Sequence, residues 1–184
     1  GHGSVGRGRG RPRGGGNSVD EERLHSLREL EGRLGYRFND TVFLDRALTH
    51  TSFVHQSNTP PLDPSEKVAN EVLEFLGDAV LTLAVSHLLA LAFPDAHEGI
   101  LSLKRSHLVR QSTLAHLSRE LQLEQHLLLG KGELQNGGKK KSSILANTYE
   151  ALIGAIYMDS NFNQTLEIVQ QQLTPYLQSE TTAL

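Results

Sequence analysis

Three acidic side chains, Glu71, Glu74 and Asp78, lie close together, and a fourth, Glu150, follows far downstream with Asn147 three residues before it. A helix over residues 70–81, turning about 100° per residue, brings Glu71, Glu74 and Asp78 within roughly 60° of one another. The other side of that helix carries Val72, Leu73, Phe75, Leu76, Ala79 and Val80. Carboxylates beside so apolar a stretch lose hydration and repel each other, so they need a proton or a cation. A hard divalent ion such as Mg²⁺ meets that need with oxygen ligands. Asn147 and Glu150, at i and i+3, sit on a second apolar stretch, residues 144–158. If the two helices pack together, four oxygen-bearing side chains converge on one spot. Acids at this spacing are also common on solvated helix faces, and spacing alone leaves that plainer reading open. Gly77 inside the first helix costs about 1 kcal/mol relative to alanine. A helix accepts such a glycine where something packs close to its backbone, which points to a purposeful site or a tight crossing.

The elements that must position these residues read as helices. Ser18-Val19-Asp20-Glu21 forms a capping box, followed by Leu24, Leu27, Leu30 and Leu34 at helical spacing, with Gly35 as the stop. A short helix is predicted from about Asp40 to Leu48. Residues 56–65, with three prolines, form a loop. A long helix then starts near Ser65, runs to about Leu91 and ends before Pro94. Further helices fit His97 to Val109 and Ser112 to Leu121. Residues 130–142, with four glycines and no periodicity, form a loop. Ser143 caps a helix over 144–159, and Asn161 caps a last one ending near Pro175. Neither an alternating strand pattern nor an internal repeat is present, so the predicted fold class is all-α.

Composition narrows the function. The 184 residues allow one domain, or one domain with a tail. Residues 1–16 hold eight of the 17 glycines, four arginines and one bulky apolar residue, and cannot bury a core. The formal charge of −3 therefore divides into about +4 on this tail and −7 on the remainder. Such a balance excludes a uniformly basic nucleic-acid module; an anionic partner is met by local basic patches or through metal ions. With no cysteine, a disulfide scaffold, a thiolate zinc site, an iron–sulfur cluster and a cysteine nucleophile are excluded. The apolar run 79–93 spans 15 residues, short of the roughly 20 that cross a bilayer. It is read as a buried helix, and no membrane association is expected. Residues 1–17 are read as a disordered Arg/Gly tail or tag remnant, 18–178 as one folded domain, and 179–184 as a stub.

The string Asn70-Glu-Val-Leu-Glu-Phe-Leu-Gly-Asp-Ala-Val-Leu81 resembles the signature of the ribonuclease III family. Residues 46–53, 129–134, 137–146 and 148–159 resemble further blocks of that family in the same order. The resemblance covers roughly residues 22–177 and implies an all-helical, homodimeric endonuclease domain that cuts double-stranded RNA with Mg²⁺, for which Mn²⁺ substitutes. Its products carry 5′-phosphate and 3′-hydroxyl ends with a short stagger, and the setting is cytoplasmic. The family's four acidic positions fall on Glu74, Asp78, Asn147 and Glu150 as metal ligands, with Asp78 and Glu150 as catalytic residues. Glu71 matches a further acidic position. Phe75 matches an aromatic residue that inserts into the partner subunit.

Asn147 departs from the pattern, which has Asp there. An amide oxygen still ligates Mg²⁺ but brings no charge. A natural variant with weaker metal binding, an engineered disabled site and a natural pseudo-enzyme kept for binding RNA all remain open. Lys139, Lys140 and Lys141 are candidate contacts to RNA phosphates, with a solvated loop as the plainer alternative. Lys104, Arg105 and Arg110 form a possible basic helix face beside the site. His50 reads as a structural hydrogen-bonding residue. The loop after Gly130 fails the phosphate-loop pattern, so no nucleotide cofactor is expected. Many members of the family carry a double-stranded-RNA-binding domain after the nuclease domain; this chain stops about ten residues past Pro175.

Overall fold

The computed structural model describes residues 21–56 and 69–182. Helix α1 (Glu21–Leu34) buries Leu27, Leu30 and Leu34. It stops at Gly35, whose φ of +73° lets its N–H turn back to the Glu31 carbonyl at 2.9 Å. Helix α2 (Thr41–Ala47) is capped by Asp40, which accepts from the Val42 N–H at 3.0 Å. Helices α3 (Thr51–His55), α4 (Ala69–Ala92), α5 (Glu98–Val109) and α6 (Gln111–Glu120) follow. Then come α7 (Lys131–Gln135), α8 (Ser142–Asp159) and α9 (Phe162–Thr182). The described residues contain no β-strand; Thr49 and Leu128 form one isolated parallel bridge.

Several expectations need correction. The segment 130–142 is not structureless, for it contains α7 and a 3₁₀ turn over Gly138–Lys140. Lys141, not Ser143, is the residue before α8, which begins two residues earlier than expected and has no side-chain cap. Helix α9 does not end at Pro175 but runs through it. Proline removes one backbone donor and leaves the carbonyl four residues back unpaired. Here Pro175 and Gln171 are both exposed, on the solvent side of the helix, while Leu173 on the inner side holds the helix to the core. Asn161 does cap α9, accepting from the Gln164 N–H at 2.9 Å. The capping box at Ser18 and the start of the long helix near Ser65 lie outside the described residues.

Helices α4 and α8 form the centre, with their most extensive contact to each other. Helix α8 is buried nearly all round, from Ile144 to Ile156, because α6, α2 and α9 also cover it. Helix α4 is apolar on two sides for two reasons. Its inner side contributes Leu73, Leu81, Ala84, Val85 and Leu89 to the core. Its outer side leaves Val72, Phe75 and Leu83 exposed. By length and composition alone Asn70–Ala92 reaches what a bilayer span requires, so the shorter apolar run read from the sequence understated it. A carboxylate ties the turn before α2 to the end of α8. Asp159 accepts from the Tyr36 hydroxyl at 2.5 Å and from the backbone N–H groups of Asn39 and Asp40 at 2.8 Å each.

A second polar knot holds α1 to the segment after α6. Buried His126 accepts at Nε2 from the Arg33 guanidinium and pairs through Nδ1 with the Ser26 hydroxyl at 2.7 Å. Arg23 donates to the His126 carbonyl at 2.6 Å and to Asp45 at 2.8 Å. Burial, together with the positive charges of Arg33 and Arg23, lowers the imidazole pKa from 6.5 to about 4. The folded protein thus keeps His126 neutral where the unfolded chain would protonate it. The resulting stability is complete above pH 6.5 and disappears as pH falls towards 4. Melting temperature should therefore drop by several degrees across that window. His126→Gln should flatten that part of the profile, as thermal unfolding at stepped pH will show.

Candidate active site

Two glycines set the geometry. A Cβ built on Gly77 of α4 would lie 1.7 Å from the Glu150 carbonyl oxygen of α8. One built on Gly154 of α8 would lie 2.1 Å from the Leu73 carbonyl oxygen of α4. The backbones of the two helices are therefore in direct contact, which any side chain at either position would prevent. Glu74 and Asp78 flank Gly77 on α4, while Asn147 and Glu150 precede Gly154 on α8 by about two turns and one turn. The crossing thus brings both sets of side chains to one place. The start of α4 is anchored by Asn70, whose side-chain amide donates to the Ala47 carbonyl at 2.6 Å.

Glu71, Glu74, Phe75, Asp78, Asn147 and Glu150 line one open cavity of about 640 Å³. No lysine or arginine lines it. Burial, then the repulsion of Glu71 and Asp78, raises the Glu74 pKa. Glu150 is pushed far above the usual carboxylate range by burial, and by its hydrogen bond and charge repulsion with Asp78. The donor set is three carboxylates and an amide oxygen, all hard ligands, which fits Mg²⁺ or Mn²⁺. The donors ring the cavity without closing on a point. Among the described residues no three carboxylates or imidazoles are grouped to hold one ion as they stand.

The other residues singled out in the sequence take different places. Phe75 is 81% exposed at the cavity edge, on the same outer face of α4 as Val72 and Leu83. Lys139 and Lys140 lie in the 3₁₀ turn that leads into α8, and Lys141 pairs with Glu133 at 3.1 Å. None of the three lines the acidic cavity. The expected basic face on α5 does not form. Lys104 is buried with its ammonium 4.5 Å from the centre of the Phe93 ring, and Arg105 donates to the Ser86 hydroxyl at 3.0 Å. His50 caps α3, accepting from the Ser52 N–H at 3.1 Å. Gly154 was missed by the sequence reading although the same signal, a glycine inside an apolar helix, marks it as it marks Gly77.

The model of the Ribonuclease-III-like family matches residues 40–177. Ribonuclease 3 of Syntrophobacter fumaroxidans is 46% identical over 154 residues, covering 84% of this chain and 62% of that protein. Ribonuclease 3 of Geobacter metallireducens is 45% identical over 153 residues, covering 83% and 60%. The chain thus spans about three-fifths of the length of the curated relatives it matches. A solved nuclease domain of ribonuclease III from Campylobacter jejuni, with structural flexibility in a region involved in dimer formation, superposes with a TM-score of 0.71 at 38% identity. That match covers 80% of this chain and 95% of the other. Dicer from Pichia stipitis superposes with a TM-score of 0.56 at 25% identity, over 77% of this chain and 57% of that one.

The glycine crossing makes a direct prediction. Gly77→Ala forces α4 and α8 apart and should cost more than the roughly 1–3 kcal/mol of ordinary overpacking, because the obstacle is backbone. Thermal unfolding should register the loss. Titration with Mn²⁺ should show weakened binding even where the variant still folds.

Proposed function

The chain belongs to the ribonuclease III-like family, and from that membership we propose that it is a divalent-metal-dependent endoribonuclease domain acting on double-stranded RNA. The observation that carries the proposal is the meeting of Glu74, Asp78, Asn147 and Glu150 around one cavity at the α4–α8 crossing. A phosphodiester resists hydrolysis because water is a weak nucleophile and the transition state gains negative charge. An anionic cavity would repel that substrate unless its own charge were first neutralised. Glu74, Asp78, Glu150 and the Asn147 amide oxygen are the residues that would hold the ion. When bound, Mg²⁺ or Mn²⁺ supplies charge neutralisation at the phosphate and acidity to a water molecule. Glu150 and Asp78, on facing walls of the same cavity, would be placed to accept a proton from the attacking water. Products with 5′-phosphate and 3′-hydroxyl ends follow from attack by water on phosphorus with departure of the 3′ oxygen.

Assembly is part of the proposal. Val72, Phe75 and Leu83 present an apolar stripe on α4 that borders the acidic cavity. Such a stripe suits a second copy of this chain, which would place two cavities on one duplex and produce staggered cuts. Lys139, Lys140 and Lys141, one to two turns before Asn147, are proposed to contact RNA phosphates and to make binding salt-dependent. Asn147 favours one further reading, a silent member of the same fold that binds RNA without cutting it. The amide leaves the cavity one negative charge short.

Cleavage of a long RNA duplex by this chain and by Asn147→Asp separates the two readings. A unit charge acts across a few ångströms with up to a few kcal/mol, so the Asp form should bind Mg²⁺ at least about tenfold tighter and cut faster. If neither form cuts while both remain folded, the silent reading stands. Because burial and Asp78 raise the Glu150 pKa, a proton there would compete with a cation, and metal affinity should rise as pH is raised through neutrality. Glu150→Gln should abolish both that dependence and cleavage. Phe75→Glu should shift the chain from dimer to monomer in analytical ultracentrifugation.

A further inference from the structure

A second cavity of about 640 Å³ lies away from the acidic one, lined by Ser52, Gln56, Gly130, Lys131, Gly132 and Glu133. Its lining is wholly polar or glycine. Its walls are held rigidly to one another. Gly130 donates to the Ser52 hydroxyl at 2.9 Å, and Lys131 donates its N–H to the Gln56 side-chain oxygen at 2.8 Å. A Cβ on Gly130 would lie 2.5 Å from the Ser52 carbonyl oxygen, so the two segments are in backbone contact. Gly138 packs against Glu133 and Leu129 in the same way, joining the lysine-bearing 3₁₀ turn to this wall.

Charge singles this place out. Residues 131–141 carry four lysines and one glutamate, net +3 in eleven residues. The rest of the chain beyond the Arg/Gly tail is net −10. Glu133 is partnered by Lys141 at 3.1 Å, whereas the exposed Lys131 makes no ion pair among the described residues. The cavity therefore offers a free ammonium and, with its oxygen bound to Lys131 N–H, the amide donors of Gln56. Opposite these stands a carboxylate. A run of phosphates alone would meet repulsion from Glu133. A ribonucleotide backbone alternates an anionic phosphate, which only accepts, with a 2′-hydroxyl, which donates. Donors and a carboxylate side by side match that alternation, and DNA lacks the group that Glu133 would bind.

Resting on the nuclease reading above, we propose that this cavity is a ribose–phosphate subsite for the RNA substrate, in which Lys131 takes a phosphate and Glu133 accepts from a 2′-hydroxyl. The subsite supplies affinity that the acidic cavity cannot, and it favours RNA over DNA. Lysines 139–141 continue the positive strip from it into α8, about 9 Å along the helix from Lys141 to Asn147 at 1.5 Å per residue.

The test is binding of a short blunt RNA duplex and of the DNA duplex of the same sequence across a salt series. Ca²⁺ replaces Mg²⁺, and duplex integrity is checked on a gel. Lys131→Gln should weaken RNA binding and reduce the slope of log affinity against log salt by about 0.9, the signature of one lost phosphate contact. Glu133→Met, which keeps the length of the side chain but offers no oxygen to accept the 2′-hydroxyl, should narrow the preference for RNA over DNA by about threefold or more, as expected for one lost hydrogen bond. An unchanged slope in the first variant, or an unchanged preference in the second, with melting temperatures like the parent, overturns the subsite. A chain that never cuts yet shows both shifts sinks the nuclease reading alone and supports the subsite. A chain that cuts but shows neither shift sinks the subsite alone. Failure to bind RNA at all sinks both.

Discussion

The contact of α4 with α8 through Gly77 and Gly154 is the constraint on which the rest of the molecule depends. Helices separated by ordinary side chains keep their axes about 8–10 Å apart. Here glycine meets backbone carbonyl on both sides, so the axes lie closer than side chains would allow. Close approach has two consequences. Ala84, Ala151 and Ala155 are fully buried among the larger core residues. The acids of both helices, which begin at the edge of the crossing, come to share one cavity. A wider crossing would leave Glu74 and Asp78 on one surface and Glu150 on another, each separately hydrated.

Packing and electrostatics are therefore one problem. The apolar surface that holds the helices together also dehydrates the carboxylates beside it, and this raises the pKa of Glu74 and Glu150. That cost favours protonation of the crowded carboxyls, and it is what a divalent cation would relieve in the proposed function. Asn147 eases the repulsion by removing one charge, and for the same reason weakens the attraction for a cation. In the proposed function a proton and a cation would compete for the same oxygens, coupling that chemistry to pH through the packing of two helices.

Positive charge is kept elsewhere. The lysines at 131 and 139–141 stand on the segment entering α8, held to α3 by Ser52 and Gln56 and to Glu133 by Lys141. In the proposed function a polyanion approaching a body of net negative charge would meet this strip as its region of local attraction, and the acidic cavity would accept it only once neutralised. The strip leads directly into α8, whose Asn147 and Glu150 line the acidic cavity, so the start of that helix links the two features.

Much of the helical framework was legible in the chain, because apolar periodicity and terminal signals such as Leu27, Leu30, Leu34 and Gly35 act within a few residues. The acidic residues of the site were legible too, since Glu71, Glu74 and Asp78 share a face of any helix through them. Other features depended on partners distant in sequence. Helix α7 and the short α3 have too few residues for a period and are held by Ser52 and Gln56 reaching across more than seventy residues. Lys104, basic by type, is buried over Phe93, and α9 continues through Pro175 because its inner face is packed while Pro175 lies on the solvent side. The amino-acid sequence by itself determined which residues could carry the chemistry and on which helices, since periodicity is local. Only the tertiary structure decided that those helices touch backbone to backbone at Gly77 and Gly154, because the space that a missing Cβ opens has meaning only when a second helix fills it.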